Sequence, residues 1–321
     1  MSLDHSATAS GVKRYRPLLI RIFIGFAILY ALVSLIDPEK LQTAFSNSDP
    51  LPIIGAFLLM ALNIFLQLAK WHYLLKLAQA SLACSETFRS FLFGITVGLI
   101  TPGQIGEFGG RAYGQTSLSS ATIIGLTLID KLQITLIITL GGMVSVSFLY
   151  LQNSAVRIAL ISVSCLAVIL VFFNLHFLRR LAVILPSRFR DHEWVQDGIQ
   201  SIGLLNGKSL LYSFGLTSGY YLVLFLQFYL LLNAFESVSV WNSYLGFAAV
   251  MFFKGFLPIS FGDLGVREGT SVYVFSLLGV HAAASFNASV LLFVFNLLIP
   301  ACAGLVIFPW LERNRKIPPL K

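Results

Sequence analysis

Charge is scarce in this chain. Only 11% of its 321 residues are Asp, Glu, Lys or Arg, against roughly 25% in an ordinary soluble domain. Hydrophobic residues make up 57%, and no polar stretch is longer than residues 176–208, so the chain lacks the material for a soluble catalytic or binding domain. Cysteine is equally sparse. Cys84, Cys165 and Cys302 are widely separated and two of them fall inside apolar runs, which excludes a disulfide framework and reads as inert filler. His5, His176, His192 and His281 are scattered without metal-ligand spacing. HExxH, the GxSxG nucleophile elbow and the nucleotide-binding P-loop are all missing. The expectation is a protein that is not an enzyme, has no cofactor or metal, and acts in or at a membrane.

What the sequence does have is long apolar runs. A helix crossing ~30 Å of hydrocarbon needs about 20 apolar residues, and runs at 18–36, 51–69, 132–150, 155–175, 209–233 and 285–308 meet that requirement. The expected fold class is an all-α polytopic membrane protein with about six full transmembrane helices, in a single integral membrane domain over 1–321. The net charge of +8 could suit nucleic acid, but the Lys and Arg sit beside the apolar runs, where they set orientation and meet anionic headgroups. Nucleic acid is therefore excluded as a partner. Lys13, Arg14 and Arg16 precede the first run as in a signal peptide, yet the following Asp37-Pro38-Glu39-Lys40 offers no small-residue cleavage site. We read an uncleaved span.

Cytoplasmic loops are enriched in Lys and Arg. Placing the tail 1–17, residues 70–90, the linker 176–208 and the tail 309–321 in the cytoplasm puts most of the 22 basic residues there. Both termini are then cytoplasmic. Two shorter apolar segments, 88–100 and 271–280, adjoin Gly-rich, charged loops. With this orientation, residues 88–130 leave and return to the cytoplasmic side, and residues 241–280 leave and return to the outer side. The expectation is two inverted re-entrant helical hairpins. Gly103-Gln104-Ile105-Gly106 matches Gly262-Asp263-Leu264-Gly265, and each has a proline upstream, Pro102 and Pro258. An Arg, a Glu and a Gly follow each match, then a Thr/Ser cluster, 116–120 or 270–271, read as N-caps of the returning half-helices. Gly/Pro-interrupted apolar segments at corresponding places in two halves point to the binding site of secondary transporters.

Eight ionisable residues remain in or close to the membrane: Glu107, Arg111, Asp130, Lys131, Lys254, Asp263, Arg267 and Glu268. A lone charge at mid-bilayer costs at least ~2.5–3.5 kcal/mol, so such groups pair, face a water-filled cavity, or both. Glu107 and Arg111 stand four apart and should pair on one helical face. Adjacent Arg267 and Glu268 would diverge on a helix and suit an irregular turn. Gly103, Gly106, Gly262, Gly265 and Gly269 allow unusual backbone and close approach of a ligand. Together with the half-helix N-termini and the forked Arg111 and Arg267 donors they describe a cavity for an anionic headgroup. Glu107 and Glu268 would orient the arginines or meet a cationic substituent, and Asp130, Lys131 and Lys254 are accessory, the first two near the cytoplasmic boundary. The alternative is that these charges only bolt the hairpins together. Lys70-Trp71-His72-Tyr73 reads as an interfacial anchor, and residues 189–205 as an amphipathic helix or an ordinary connecting loop.

ITPGQIGEFGGRAYG at 100–114 and LPISFGDLGVREG at 257–269 resemble the lysylphosphatidylglycerol synthase transmembrane-region family, also called flippase-like. AKWHYLLK at 69–76, the Leu118-Ser119-Ser120-Ala121 step and Ile129-Asp130-Lys131 support the resemblance, which covers nearly the whole chain. It implies an integral protein of the bacterial inner membrane related to the lipid-translocating half of the MprF proteins. The matched positions are Pro102, Gly103, Gly106, Glu107 and Arg111, then Pro258, Gly262, Gly265, Arg267, Glu268 and Gly269. Asp263 stands where the second motif usually carries glycine, and the chain has no aminoacyl-transferase domain, so lysyl transfer is not implied. The expected function is movement of an anionic or aminoacylated phospholipid, or a polyprenyl-phosphate-linked lipid, between leaflets. A non-transporting partner of a glycosyltransferase or other envelope enzyme is the alternative, and a homo-oligomer is compatible with either. A remote third is an intramembrane aspartyl protease, since Ser260-Phe261-Gly262-Asp263 resembles its GxGD and Asp130 supplies a second carboxylate.

Overall fold

The structure, a computed structural model, describes residues 30, 33–34, 38–101, 103–173, 193–256 and 263–313. The tail 1–17, nearly all of the first apolar run, Pro102, Pro258, Ser260, Gly262 and the last residues of the C-terminal tail lie outside them. All regular structure among the described residues is helical. Five helices are long and apolar enough to cross a membrane: Pro50–Ala78, Ser120–Tyr150, Ser154–Val171, Gly207–Phe235 and Ala282–Ile307. They coincide with the second to sixth apolar runs.

The helices follow in the order α1 (Pro38–Ser46), α2 (Pro50–Ala78), α3 (Cys84–Leu99), α4 (Gly106–Gly114), α5 (Ser120–Tyr150), α6 (Ser154–Phe173) and α7 (Glu193–Ile202). The chain continues through α8 (Gly207–Phe235), α9 (Val240–Lys254), α10 (Val266–Ser276), α11 (Ala282–Phe293), a π-helical turn (Val294–Leu298) and α12 (Ile299–Arg313). Polar side chains start the long helices. Asp49 accepts from Leu51 N at 2.9 Å, Asn206 from Ser209 N at 2.8 Å and Ser239 from Asn242 N at 3.2 Å, each satisfying a backbone donor without a helical partner.

The Thr/Ser clusters behave differently from expectation. Ser119 caps α5, the long helix, accepting from Thr122 N at 3.2 Å. Thr270 and Ser271 lie inside α10 and bond to Val266 O and Ser285 O, so neither starts the half-helix, which begins at Val266. Residues 193–202 do form a helix, α7, which packs on α5 where Gly125 leaves a Cβ no room beside Gly198 O.

Two segments repeat one plan: long helix, short helix, glycine turn, short helix, long helix. α2 to α5 follow it first, and α8 to α12 follow it again. α2 packs on α8, α5 on α9, and α12 on α3, so exchanging the two segments maps these contacts onto themselves. α2 and α8 run antiparallel: Gly55 faces Leu230, Asn63 bonds Gln227, and the rings of Tyr73 and Tyr212 meet at 4.6 Å. Both turns pass through the left-handed region. Gln104 has φ 57° and its motif counterpart Asp263 has φ 60°, a conformation non-glycine residues seldom adopt.

Small residues explain how α3 and α4 come together. Gly106, Gly110 and Gly114 recur every four residues along the face of α4 that meets α3. A Cβ on Gly110 would lie 2.4 Å from Phe93 O, and one on Gly114 would lie 2.6 Å from Ser90 Cα. Backbones approach this closely only through small residues. Two apolar clusters flank the resulting centre. One is built on Trp71, Phe91, Ile95 and Ile129, the other on Phe228, Phe247, Val274 and Phe275.

Candidate functional site

The central site is assembled from α2, α4 and α5 on one side and α9, α10 and α11 on the other. Helix α4 presents Glu107 and Arg111 on one face, and they form the expected ion pair. The pair extends in both directions. Arg111 Nη1 reaches Asp130 Oδ2 at 3.0 Å, Asp130 Oδ1 meets Lys70 Nζ at 2.5 Å, and Glu107 Oε2 holds Lys131. The result is an alternating chain, Lys70–Asp130–Arg111–Glu107–Lys131, across three helices. Its guanidinium stacks 4.2 Å above the ring of Trp71, whose Nε1 donates to Ser90 Oγ at 3.2 Å. Ser90 in turn donates to Arg111 O at 2.8 Å. The arginine stem passes Gly94, where a Cβ would stand 2.5 Å from Arg111 Cγ.

Lys70 and Trp71 therefore do not anchor a surface. They are 4% and 0% exposed, because α2 continues two further turns to Ala78. Asp130 and Lys131 lie ten residues inside α5, since residues 120–129 extend the helix before the apolar run begins.

The second half repeats the chemistry on a smaller scale. Arg267 pairs with Glu268, donates its Nε–H to Ser289 Oγ at 3.1 Å and stands 5.2 Å from the ring of Phe293. Contrary to expectation, both residues occupy the first turn of α10 and not an irregular turn. They meet because Glu268 folds back to accept from Gly265 N at 2.7 Å, the reach of an N3 carboxylate in a capping box. Gly265 itself adopts φ 82°. Lys254 and Asp263 face each other at 3.4 Å across the glycine turn.

Between the halves lies a polar cavity of about 120 Å³. That is several times the ~30 Å³ share of one water molecule and below the ~300–1,000 Å³ of pockets enclosing whole drug-sized ligands. Glu107 and Lys131 line it from the first half, and Lys254, Asp263 and Arg267 from the second. Sequence reasoning missed its uncharged wall: Asn63 and Gln67 from α2, Gln104, Tyr220 from α8 and Asn296 from the π-turn. A π-turn inside a long apolar helix is a common mark of a functional position. The amides at i, i+4 within an apolar run were the available signal for Asn63 and Gln67.

The other expected site residues sit behind this wall. Arg111, Asp130 and Glu268 are buried in the ion pairs, and Gly103, Gly106, Gly265 and Gly269 shape the backbone without lining the cavity. Gly262 lies outside the described residues. Asp130 is held between Lys70 and Arg111 while Asp263 faces Lys254, so the two carboxylates do not form the proton-sharing pair of an aspartyl protease.

The sequence model of a family described as "Lysylphosphatidylglycerol synthase TM region" matches residues 18–304. The chain is also 21% identical over 328 aligned positions to a "UPF0104 membrane protein" of Methanothermobacter thermautotrophicus, covering 91% of this chain and 94% of that protein.

Proposed function

Since the chain belongs to the lysylphosphatidylglycerol synthase TM region family, we propose that it moves a phosphate-bearing lipid between the leaflets of the membrane, through the cavity between its two halves. One observation carries this reading: three cationic side chains from three helices, Lys131, Lys254 and Arg267, converge on a single polar cavity set between long apolar helices. Polar groups at such depth are expensive and are typically retained for a substrate path. Arg267 supplies a forked donor and the lysines supply point charges, the usual complement of a phosphate.

In this reading α3–α4 and α9–α10 are inverted re-entrant hairpins. The antiparallel course of α2 and α8 and the exchange of contacts between the halves support it. Both termini then face the cytoplasm, and the lipid's chains stay in the bilayer while its phosphate occupies the cavity. Transport needs no bond-breaking chemistry, and a gradient or mass action would supply the driving force. The bolted pairs Lys70–Asp130 and Arg111–Glu107 favour a second reading, a non-transporting scaffold for an envelope enzyme, because their charges are spent on one another.

Leaflet-to-leaflet transfer of fluorescent phospholipids in proteoliposomes separates the two. The transporter reading expects transfer by the wild-type protein and its loss in Arg267→Gln and Lys131→Gln at equal folded amount. Absence of transfer for every phospholipid supplied, or equal transfer in the variants, would overturn it.

A further inference from the structure

The charges of the site do not cancel, and the remainder identifies the headgroup. Counting the cavity lining and the pairs directly behind it, the described residues hold five cations, Lys70, Arg111, Lys131, Lys254 and Arg267. They hold four carboxylates, Glu107, Asp130, Asp263 and Glu268. Residues 257–262, Leu-Pro-Ile-Ser-Phe-Gly, which lie outside the described residues, carry no charge. One positive charge is therefore left without a carboxylate partner at the cavity, where charges are less screened than in bulk water.

The pairing pattern shows where the deficit lies. Asp130 bridges Lys70 and Arg111, and Glu107 bridges Arg111 and Lys131. On the other side Lys254 has Asp263 and Arg267 has Glu268. The first half thus has three cations for two carboxylates, and its cavity-facing member is Lys131, whose side chain is 31% exposed. The whole first-half chain delivers its surplus to the cavity at this residue. Opposite it, Arg267 spends its Nε–H and one terminal nitrogen on Ser289 and Glu268, and its second terminal nitrogen has no hydrogen-bond partner among the described residues.

We propose that the site selects lipids whose headgroup carries a single net negative charge, a phosphodiester without an amine, and discriminates against zwitterionic, aminoacylated and dianionic headgroups. This rests on the transporter reading above. A phosphodiester monoanion between Lys131 and Arg267 makes the site neutral. A zwitterion leaves the surplus in place, an aminoacylated phosphatidylglycerol of net positive charge enlarges it, and a phosphomonoester dianion reverses it. One uncompensated charge about 10 Å away at an effective dielectric constant near 20 changes an affinity on the order of tenfold, which sets the expected preference.

The test moves the balance by one charge in each direction. Transfer in proteoliposomes is measured for phosphatidylglycerol, phosphatidylethanolamine, lysyl-phosphatidylglycerol and phosphatidic acid ionised to its dianion, with Lys254→Gln, Asp263→Asn and wild-type protein at matched folded amount. In parallel, the thermal unfolding shift of detergent-solubilised protein is read with glycerophosphoglycerol, glycerophosphoethanolamine and glycerol phosphate, which separates headgroup recognition from that of the lipid chains. Wild type should favour phosphatidylglycerol and glycerophosphoglycerol about tenfold. Lys254→Gln should shift the preference toward the zwitterion, and Asp263→Asn toward the dianion. Where Lys254→Gln fails to fold, Lys131→Gln removes the same charge from the other half and, since it is expected not to transfer lipid, is read by its unfolding shift with the soluble headgroups alone. An unchanged ranking in folded variants, or wild-type preference for the zwitterionic or aminoacylated lipid, overturns the charge rule while leaving transport intact. Absence of transfer for all four lipids overturns the transporter reading, and the soluble headgroups then decide the charge rule alone.

Discussion

Alanine at Gly110 should unfasten α3 from α4, while alanine at Gly109, one residue earlier, should not. A Cβ at Gly110 would stand 2.4 Å from Phe93 O and 2.9 Å from Phe93 C, and ordinary contact begins at 3.4 Å, so the helices must part by about 1 Å. The obstacle is backbone, which no rotamer change can move aside. Overpacking of this kind costs about 1–3 kcal/mol. At Gly109 a Cβ meets nothing within 4 Å, and replacing a mid-helix glycine by alanine gains about 0.5–1 kcal/mol. The helix gain applies at both positions and cancels in the comparison, so the Gly110 variant should be the less stable of the two by about 1–3 kcal/mol. Unfolding of purified protein in mixed micelles, titrated with denaturing detergent and followed by circular dichroism, reads the difference. Arg111 follows Gly110 directly, so the site should loosen with the helix. Equal behaviour of the two variants would refute the glycine packing described for this pair.

Lys70→Met should lower the yield of folded protein sharply, because removing one partner of a buried ion pair costs about 3–5 kcal/mol; Lys70→Met with Asp130→Asn should recover part of it, as size-exclusion profiles would show. Gln104 holds φ 57°, a strain of about 1–3 kcal/mol for a non-glycine residue, so Gln104→Gly should raise the melting temperature and Gln104→Val should lower it. Ser119→Ala removes the bond to Thr122 N and should cost about 0.5–2 kcal/mol in the same detergent titration, with lipid transfer unaffected in the protein that remains folded.

Much of this organisation was legible in the sequence. Five apolar runs became five long helices, the Glu107/Arg111 spacing became an ion pair, and the two glycine motifs became turns with left-handed residues at equivalent positions. A charge next to an apolar run does not by itself mark an interfacial anchor. Lys70 and Asp130 show why, since two charges of opposite sign on neighbouring helices neutralise each other inside the bundle, and no one-dimensional pattern reveals the partner. Arg267 and Glu268 were misjudged because helical spacing governs side-chain bases, whereas a glutamate at the third helical position can turn back along the axis. The amide wall of the cavity was overlooked because Asn63, Gln67 and Asn296 carry no charge to draw notice.

The most direct test of the central claim is to locate the phosphate of a bound lipid. A phosphatidylglycerol analogue with a short-reach photoreactive group beside its phosphate, cross-linked to the protein in proteoliposomes, would be mapped by peptide mass spectrometry. The account predicts adducts on residues that line the cavity, Gln67, Gln104, Lys131, Lys254 and Asn296, and their disappearance with excess unlabelled phosphatidylglycerol. Adducts confined to the outward faces of the bundle, such as Val163 and Leu166 on α6, with none in the cavity, would contradict it.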